Sequence, residues 1–135
     1  MRKRMVWGIA GLVLPVILWA GPAQHTVTAT LNYDFTVDNA CSAGVTSGCV
    51  KQFNNYDITS GGTPVKLFSI VAPRGANTAV TGITGTSGLL TLKAGVHTFA
   101  ATAQMADGTE SSPNGSTATA SVAPGAPVGF GVTVQ

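Results

Sequence analysis

An all-β fold of seven to eight short antiparallel strands is what this 135-residue sequence predicts. Three observations predict it. Two long segments alternate apolar and polar residues with period two, weaker apolar runs between them are cut by clusters of Gly, Pro, Asn and Ser, and no stretch after residue 23 carries the 3.6-residue period of an amphipathic helix. Many short strands with frequent turns fold as a sandwich or a small barrel.

The first 23 residues read differently. Arg2, Lys3 and Arg4 precede an apolar run over residues 5–20, and the small-residue exit Ala20-Gly21-Pro22-Ala23 follows, which is the layout of a secretory signal peptide. Gly8, Gly11 and Pro15 interrupt the run, and it is shorter than the roughly 20 residues of a spanning helix, so a signal helix at 1–23 is expected, with a retained N-terminal anchor as the alternative. Cleavage between Ala23 and Gln24 places Gly21 and Ala23 at the two small positions read by the peptidase, and cleavage after Ala20 is the rival. No Cys stands in this region to take a lipid.

Three of the seven basic residues belong to that segment. Residues 24–135 keep Lys51, Lys66, Arg74 and Lys93 against Asp34, Asp38, Asp57, Asp107 and Glu110, a formal charge of minus one. Without a basic patch nucleic acid is not an expected partner, because its binding rests on neutralising phosphates. Residues 24–135 suffice for one domain with one core and are too few for two.

The strands follow in order. Over residues 26–37, Val27, Ala29, Leu31, Tyr33, Phe35 and Val37 fall on one face and polar residues on the other, predicting one long half-buried strand. Weaker strands are predicted over 50–58, 65–71, 79–83 and 89–92, bounded by turns such as Ser60-Gly61-Gly62 and Ala72-Pro73-Arg74-Gly75. A second long strand carries His97, Phe99, Ala101, Ala103 and Met105 on one face and Val96, Thr98, Ala100, Thr102 and Gln104 on the other, a pattern suited to a central position. Residues 116–122 put Ala118, Ala120 and Val122 on one side, and after Pro124-Gly125-Ala126-Pro127 the alternation returns in Val128, Phe130, Val132 and Val134.

The run Leu92-Lys93-Ala94-Gly95-Val96-His97-Thr98-Phe99 through Ala103, with the turn Asp107-Gly108 to Pro113-Asn114, resembles the F strand and F–G turn of fibronectin type III domains. Thr30-Leu31-Asn32-Tyr33 is similar to their strand B, and Tyr56 to the tyrosine of their strand C. General bacterial immunoglobulin-like domains share several of these features. The resemblance implies a fibronectin type III/immunoglobulin-like β-sandwich over 24–135. It departs from the family in two places: no tryptophan stands in strand B, where Tyr33 or Phe35 would fill the volume, and His97 stands near the family's corner tyrosine, where its imidazole would bond loop backbone instead of a phenol.

Candidate chemistry is sparse. Cys41 and Cys49 are the only cysteines, and in an exported chain they are expected to form a local disulfide, stabilising by roughly 2–3 kcal/mol on the chain-entropy model. After residue 23 the histidines are His25 and His97, and His97 on an apolar strand face reads as a satisfied core residue. The acids are dispersed, so a carboxylate pair would require folding to bring Asp34 or Asp38 near Asp57. Asp38-Asn39 lacks the ordered run of acidic ligands that calcium takes, and no cofactor or metal is expected.

These readings point to a non-catalytic extracytoplasmic adhesion, scaffold or protein-interaction module, secreted, periplasmic or at the cell surface. The alternative is a carbohydrate-binding module stacking Phe53, Tyr56, Phe68 or Phe130 on sugar rings of a polysaccharide. An enzyme is not expected, nor a membrane span once the signal is cleaved. The terminal strand over 128–134 is expected to add to an open sheet edge of its own domain, along 116–122 or beside 26–37, and the alternative is self-association by addition to a neighbouring copy's edge.

Overall fold

The computed structural model describes residues 23–73 and 78–124. The expected signal helix and the expected terminal strand over 128–134 lie outside the described residues. Ala23 opens the described chain, and Gln24 begins the first strand.

The fold is all-β and its pairings are antiparallel. Among the described residues eight strands run in chain order: β1 (Gln24–His25), β2 (Thr28–Asp34), β3 (Val50–Asp57), β4 (Val65–Val71), β5 (Ala79–Thr86), β6 (Leu90–Thr91), β7 (Gly95–Met105) and β8 (Thr117–Val122). Four of them form a sheet in the order β4-β3-β7-β8; β2 pairs with β5, and the short β1 pairs with β6. The period-two segments of the sequence become β2 and β7, and the run over 65–71 is the whole of β4.

The first long strand ends earlier than its alternation predicts. Asp34 closes β2, and Phe35–Val37 form a 3-10 turn because the Asp34 carboxylate accepts the Thr36 amide at 2.9 Å and the Thr36 hydroxyl at 2.6 Å. Such local side-chain bonds offer the backbone an alternative to the ladder. With three residues per turn instead of two, the apolar parity breaks. Phe35 still reaches the core, fully buried, whereas Val37 is 75% exposed.

Within β2 and β5 the register slips between Leu31 and Tyr33, whose partners are Ile83 and Val80. The extra residue of β5 is taken up at Gly82, where φ is +68°, and the Asn32 side-chain oxygen accepts the Gly82 amide at 2.9 Å. A glycine in this left-handed conformation is the usual means of absorbing a bulge.

The core lies between the β2–β5 pair and the four-stranded sheet. Phe35, Val50, Phe53, Ile70, Ala72 and Ile83 form its buried centre, with Leu31, Tyr33, Phe68 and Met105 among those packed around it. Tyr33 stands 4.8 Å from Phe35 and 5.1 Å from Phe53 between ring centroids, so three rings cluster in the core. Full burial of a side chain such as Phe35 or Val50 contributes about 1.5–3 kcal/mol.

The two layers are unequal. Among the described residues the β2–β5 pair packs on β3, β4 and the far end of β7, and a cleft separates β2 from the near end of β7 and from β8. Phe99 and Ala101 on the inward face of β7 are therefore only half-buried, and their neighbours Ala118 and Ala120 on β8 are exposed. Ala118, Ala120 and Val122 do share one side, as their alternation predicts. No described residue covers the first two fully.

Candidate functional site

Two clusters of polar side chains are built on the four-stranded sheet. The larger occupies its outward face. The ladders set Asn54 of β3 opposite Ser69 of β4 and Thr102 of β7, and Gln52 opposite Gln104, so period two brings five polar side chains to one surface. Gln52 donates to Asn54 Oδ1 at 2.9 Å and to Gln104 Oε1 at 2.7 Å, and the Ser69 hydroxyl donates to Asn54 Oδ1 at 2.7 Å.

Glu110 completes this surface from the turn after β7. The Thr109 amide donates to Asp107 Oδ1 at 2.9 Å and the Met105 amide to the Thr109 carbonyl at 2.8 Å, which folds the chain back along β7 and sets Glu110 opposite Gln104. Glu110 Oε1 then accepts from Asn54 Nδ2 at 3.0 Å, from the Tyr56 hydroxyl at 2.7 Å and from the Thr102 hydroxyl. Asn54 is fully buried and Thr102 is 3% exposed, although both stand on the outward face.

Desolvation alone would raise the Glu110 carboxyl, but the bonds from Thr102, Asn54 and Tyr56 and the nearby Lys66 charge hold it below the usual carboxylate range. Tyr56 moves the opposite way, because desolvation and the bond to Glu110 disfavour its phenolate. A carboxylate held ionised in this way is the reverse of what a general acid requires.

The second cluster ties β7 to β3. His97 Nδ1 lies 2.7 Å from Asp57 Oδ2, and Nε2 lies 2.7 Å from the Lys93 carbonyl. A neutral imidazole donates through one nitrogen only, whereas a carboxylate and a carbonyl both demand a donor. Only the doubly protonated ring satisfies both, and in that form His97 and Asp57 make an ion pair at 2.7 Å. The Lys93 carbonyl and the Asp57 carboxylate raise the His97 pKa against the effect of desolvation. Asp57 is lowered despite its own desolvation, through the Thr59 hydroxyl and amide and through His97. With both nitrogens engaged, His97 lacks the free lone pair of a general base. It does bond loop backbone, four residues upstream.

Cys41 and Cys49 are joined in a disulfide with their Cα atoms 5.2 Å apart. The loop is held to the sheet around it: Asp38 Oδ2 accepts the Val50 amide at 2.8 Å, the Asn39 amide reaches the Gly48 carbonyl at 2.6 Å, and the Ala106 amide donates to the Cys49 carbonyl at 2.8 Å. Asp34, Asp38 and Asp57 thus serve separate local partners and are not brought together as a carboxylate pair. Among the described residues no three of His, Cys, Asp and Glu gather where they could hold a metal ion. No helix among them is long and apolar enough to cross a membrane.

Sequence reasoning missed Glu110. The parity of Gln52, Asn54, Thr102 and Gln104 marks an outward polar surface, but no local pattern says which carboxylate closes over it. Compared with known proteins, the chain matches no family model, no curated protein and no solved structure.

Proposed function

We propose that residues 24–135 form a fibronectin type III-like, immunoglobulin-like β-sandwich, exported by a signal peptide at 1–23, that acts as a non-catalytic adhesion, scaffold or protein-interaction module outside the cytoplasm. The strand pairing supports this reading of the fold. β2 with β5, and β4-β3-β7-β8 as the facing sheet, follow the B–E and C′-C-F-G pairings that the resemblance implies. A disulfide in a small β domain is compatible with an oxidising, extracytoplasmic location.

The observation that carries the functional reading is the rim of β4. Among the described residues this strand is the outer member of its sheet, and it exposes Val65 at 59% and Val71 at 78%. An edge with exposed β-branched residues is suited to strand addition by an extended partner. His97 and Glu110, the groups best placed for acid–base work, are instead engaged in holding the sheet together.

Carbohydrate binding is the second reading. Phe53 is buried in the core and Phe68 packs against it, Phe130 lies outside the described residues, and Tyr56 stands half-buried with its hydroxyl on Glu110. A stacking platform would need a second ring beside Tyr56.

Cross-linking in intact cells, followed by capture of the exported protein, tests these readings with the wild-type chain and a Val65→Lys/Val71→Lys variant. Protein partners lost in the variant are expected. Binding only to a polysaccharide, abolished by Tyr56→Ala, would favour the second reading, and turnover of ester, glycoside or peptide substrates abolished by His97→Gln would overturn both. The intact mass of exported protein should begin at Gln24; a mass that retains Met1 would establish an anchor instead.

A further inference from the structure

We propose that the cleft between β2 and β8 receives an extended, uncharged peptide segment of a separate protein, which pairs as a strand with the edge of β2. Reading the chain as an interaction module underlies this assignment, and the cleft is a second docking surface, apart from the exposed rim of β4. Its volume is about 640 Å³. Residues 25–31 form one wall and 116–123 the other, and Asn55 of β3, Leu67 of β4 and Phe99 and Ala101 of β7 line the floor.

The β2 wall presents an edge. A strand that turns one face to a cleft lines it with every second residue, whereas all seven residues from 25 to 31 line this one. The Ser87 amide donates to the Val27 carbonyl at 2.9 Å, and Ala29 and Leu31 continue that register opposite Gly85 and Ile83. Alternation along an antiparallel pair therefore gives the bonds to β5 to these odd-numbered residues and directs the amides and carbonyls of Thr28 and Thr30 the other way, at the cleft. The floor residues stand on the inward face of the larger sheet, so a segment lying over them lies in the layer of β2 and meets that edge.

Asn55 and the absence of charge give the chemistry of the occupant. Asn55 is 5% exposed and lies opposite Ala101, yet among the described residues its Nδ2 meets no hydrogen-bond acceptor, and the buried His25 Nε2 in the β2 wall is also without a partner. Buried polar groups in native structures are rarely left unpaired. An apolar side chain would cover the half-buried Phe99, Ala101 and Leu67 without satisfying Asn55, whereas an extended peptide also brings carbonyls along its length. Among the described residues no Asp, Glu, Lys or Arg lines the cleft, so a charge on the occupant would be desolvated without a partner. A segment that alternates apolar and hydroxyl residues meets these demands together: one face for the floor, one for solvent, and a backbone for β2 and Asn55.

Residue-resolved hydrogen exchange on the full exported chain tests this with a synthetic peptide alternating Val and Thr over the length of β2, with lysines at its ends for solubility. Saturating peptide should slow exchange of the Thr28 and Thr30 amides at least about 10-fold and move the side-chain amide resonances of Asn55. N-methylation of alternate peptide residues should abolish this in one parity and spare it in the other, because the apolar face fixes which amides meet β2. Asn55→Val should keep the unfolding midpoint of the free protein and weaken the peptide roughly 3–10-fold. Val65→Lys/Val71→Lys should bind the peptide unchanged, so failure in the cleft leaves capture at the rim of β4 standing. No protection at millimolar peptide, or equal binding of both methylated forms, overturns the proposal. Slow exchange of Thr28 and Thr30 without peptide also overturns it: in favour of pairing within the chain if it persists on dilution in a monomer, and in favour of a second copy if it is lost with a dimer's mass.

Discussion

His97 and Asp57 are forty residues apart in sequence and 2.7 Å apart in the structure, where they join the first residues of β7 to the last residue of β3. The ring is satisfied only as a cation, so its charge is coupled to folding. Its raised pKa means that the stabilisation is complete below about pH 6.5, the unfolded value, and is lost as pH rises through the higher folded value. Asp57, with its lowered pKa, contributes above its unfolded value of about 3.9 and is lost as pH falls below it. Stability attributable to the pair should therefore peak between these limits. Urea midpoints should decline from about pH 5.5 to about pH 8.5, and His97→Gln should flatten the decline. An unchanged slope in the variant would remove the pair from the account.

Glu110 is expected to stabilise the outward face of the sheet. Glu110→Ala leaves the buried Asn54 amide and Thr102 hydroxyl short of an acceptor, at a cost of about 1–3 kcal/mol in chemical unfolding. Glu110→Gln keeps an acceptor oxygen and should cost less. Equal stability of Glu110→Ala and the wild type would contradict the geometry.

Gly85 is required by the approach of the two layers. A Cβ at this position of β5 would stand 2.5 Å from Ile70 Cγ1 and 3.0 Å from its Cδ1, against a core side chain that is 8% exposed. Gly85→Ala should destabilise by about 1–3 kcal/mol through overpacking. Ile70→Val shortens that side chain, so a double-mutant cycle should show the two changes to be coupled, with less than the additive loss.

The disulfide closes a loop of separation eight beside the fully buried Val50. Replacing Cys41 and Cys49 with Ser should lower stability by roughly 2–3 kcal/mol and leave the β-sheet circular dichroism in place, since the ladders of β3 do not depend on the bridge. Thiol labelling of the unreduced wild-type protein should find no free cysteine. Two reactive thiols, before and after denaturation, would contradict the pairing.

Much of the secondary structure was legible because strand formation follows a local signal. β7 and β4 could be read from alternation and bounding turns, since a period of two puts one set of side chains on each face whatever the partner strand. The end of β2 was less legible, because at Asp34 a carboxylate bonding two residues ahead competes with the ladder, and alternation does not register that competition. The pairing of Cys41 with Cys49 followed from their being the only two cysteines.

By itself, then, the sequence determined an all-β chain, the parity of its long strands and its one disulfide, all features that depend on neighbours along the chain or on a count of two. Tertiary structure alone decided that β3 lies between β4 and β7, that Glu110 reaches the Asn54 face, and that His97 meets Asp57 and the Lys93 carbonyl. Among the described residues it also decided that Phe99 and Ala101 stay half-covered although they face inward on β7. The reason is physical: these contacts join residues far apart in the chain, and their geometry is set by strand order and register, which alternation within a single strand does not specify.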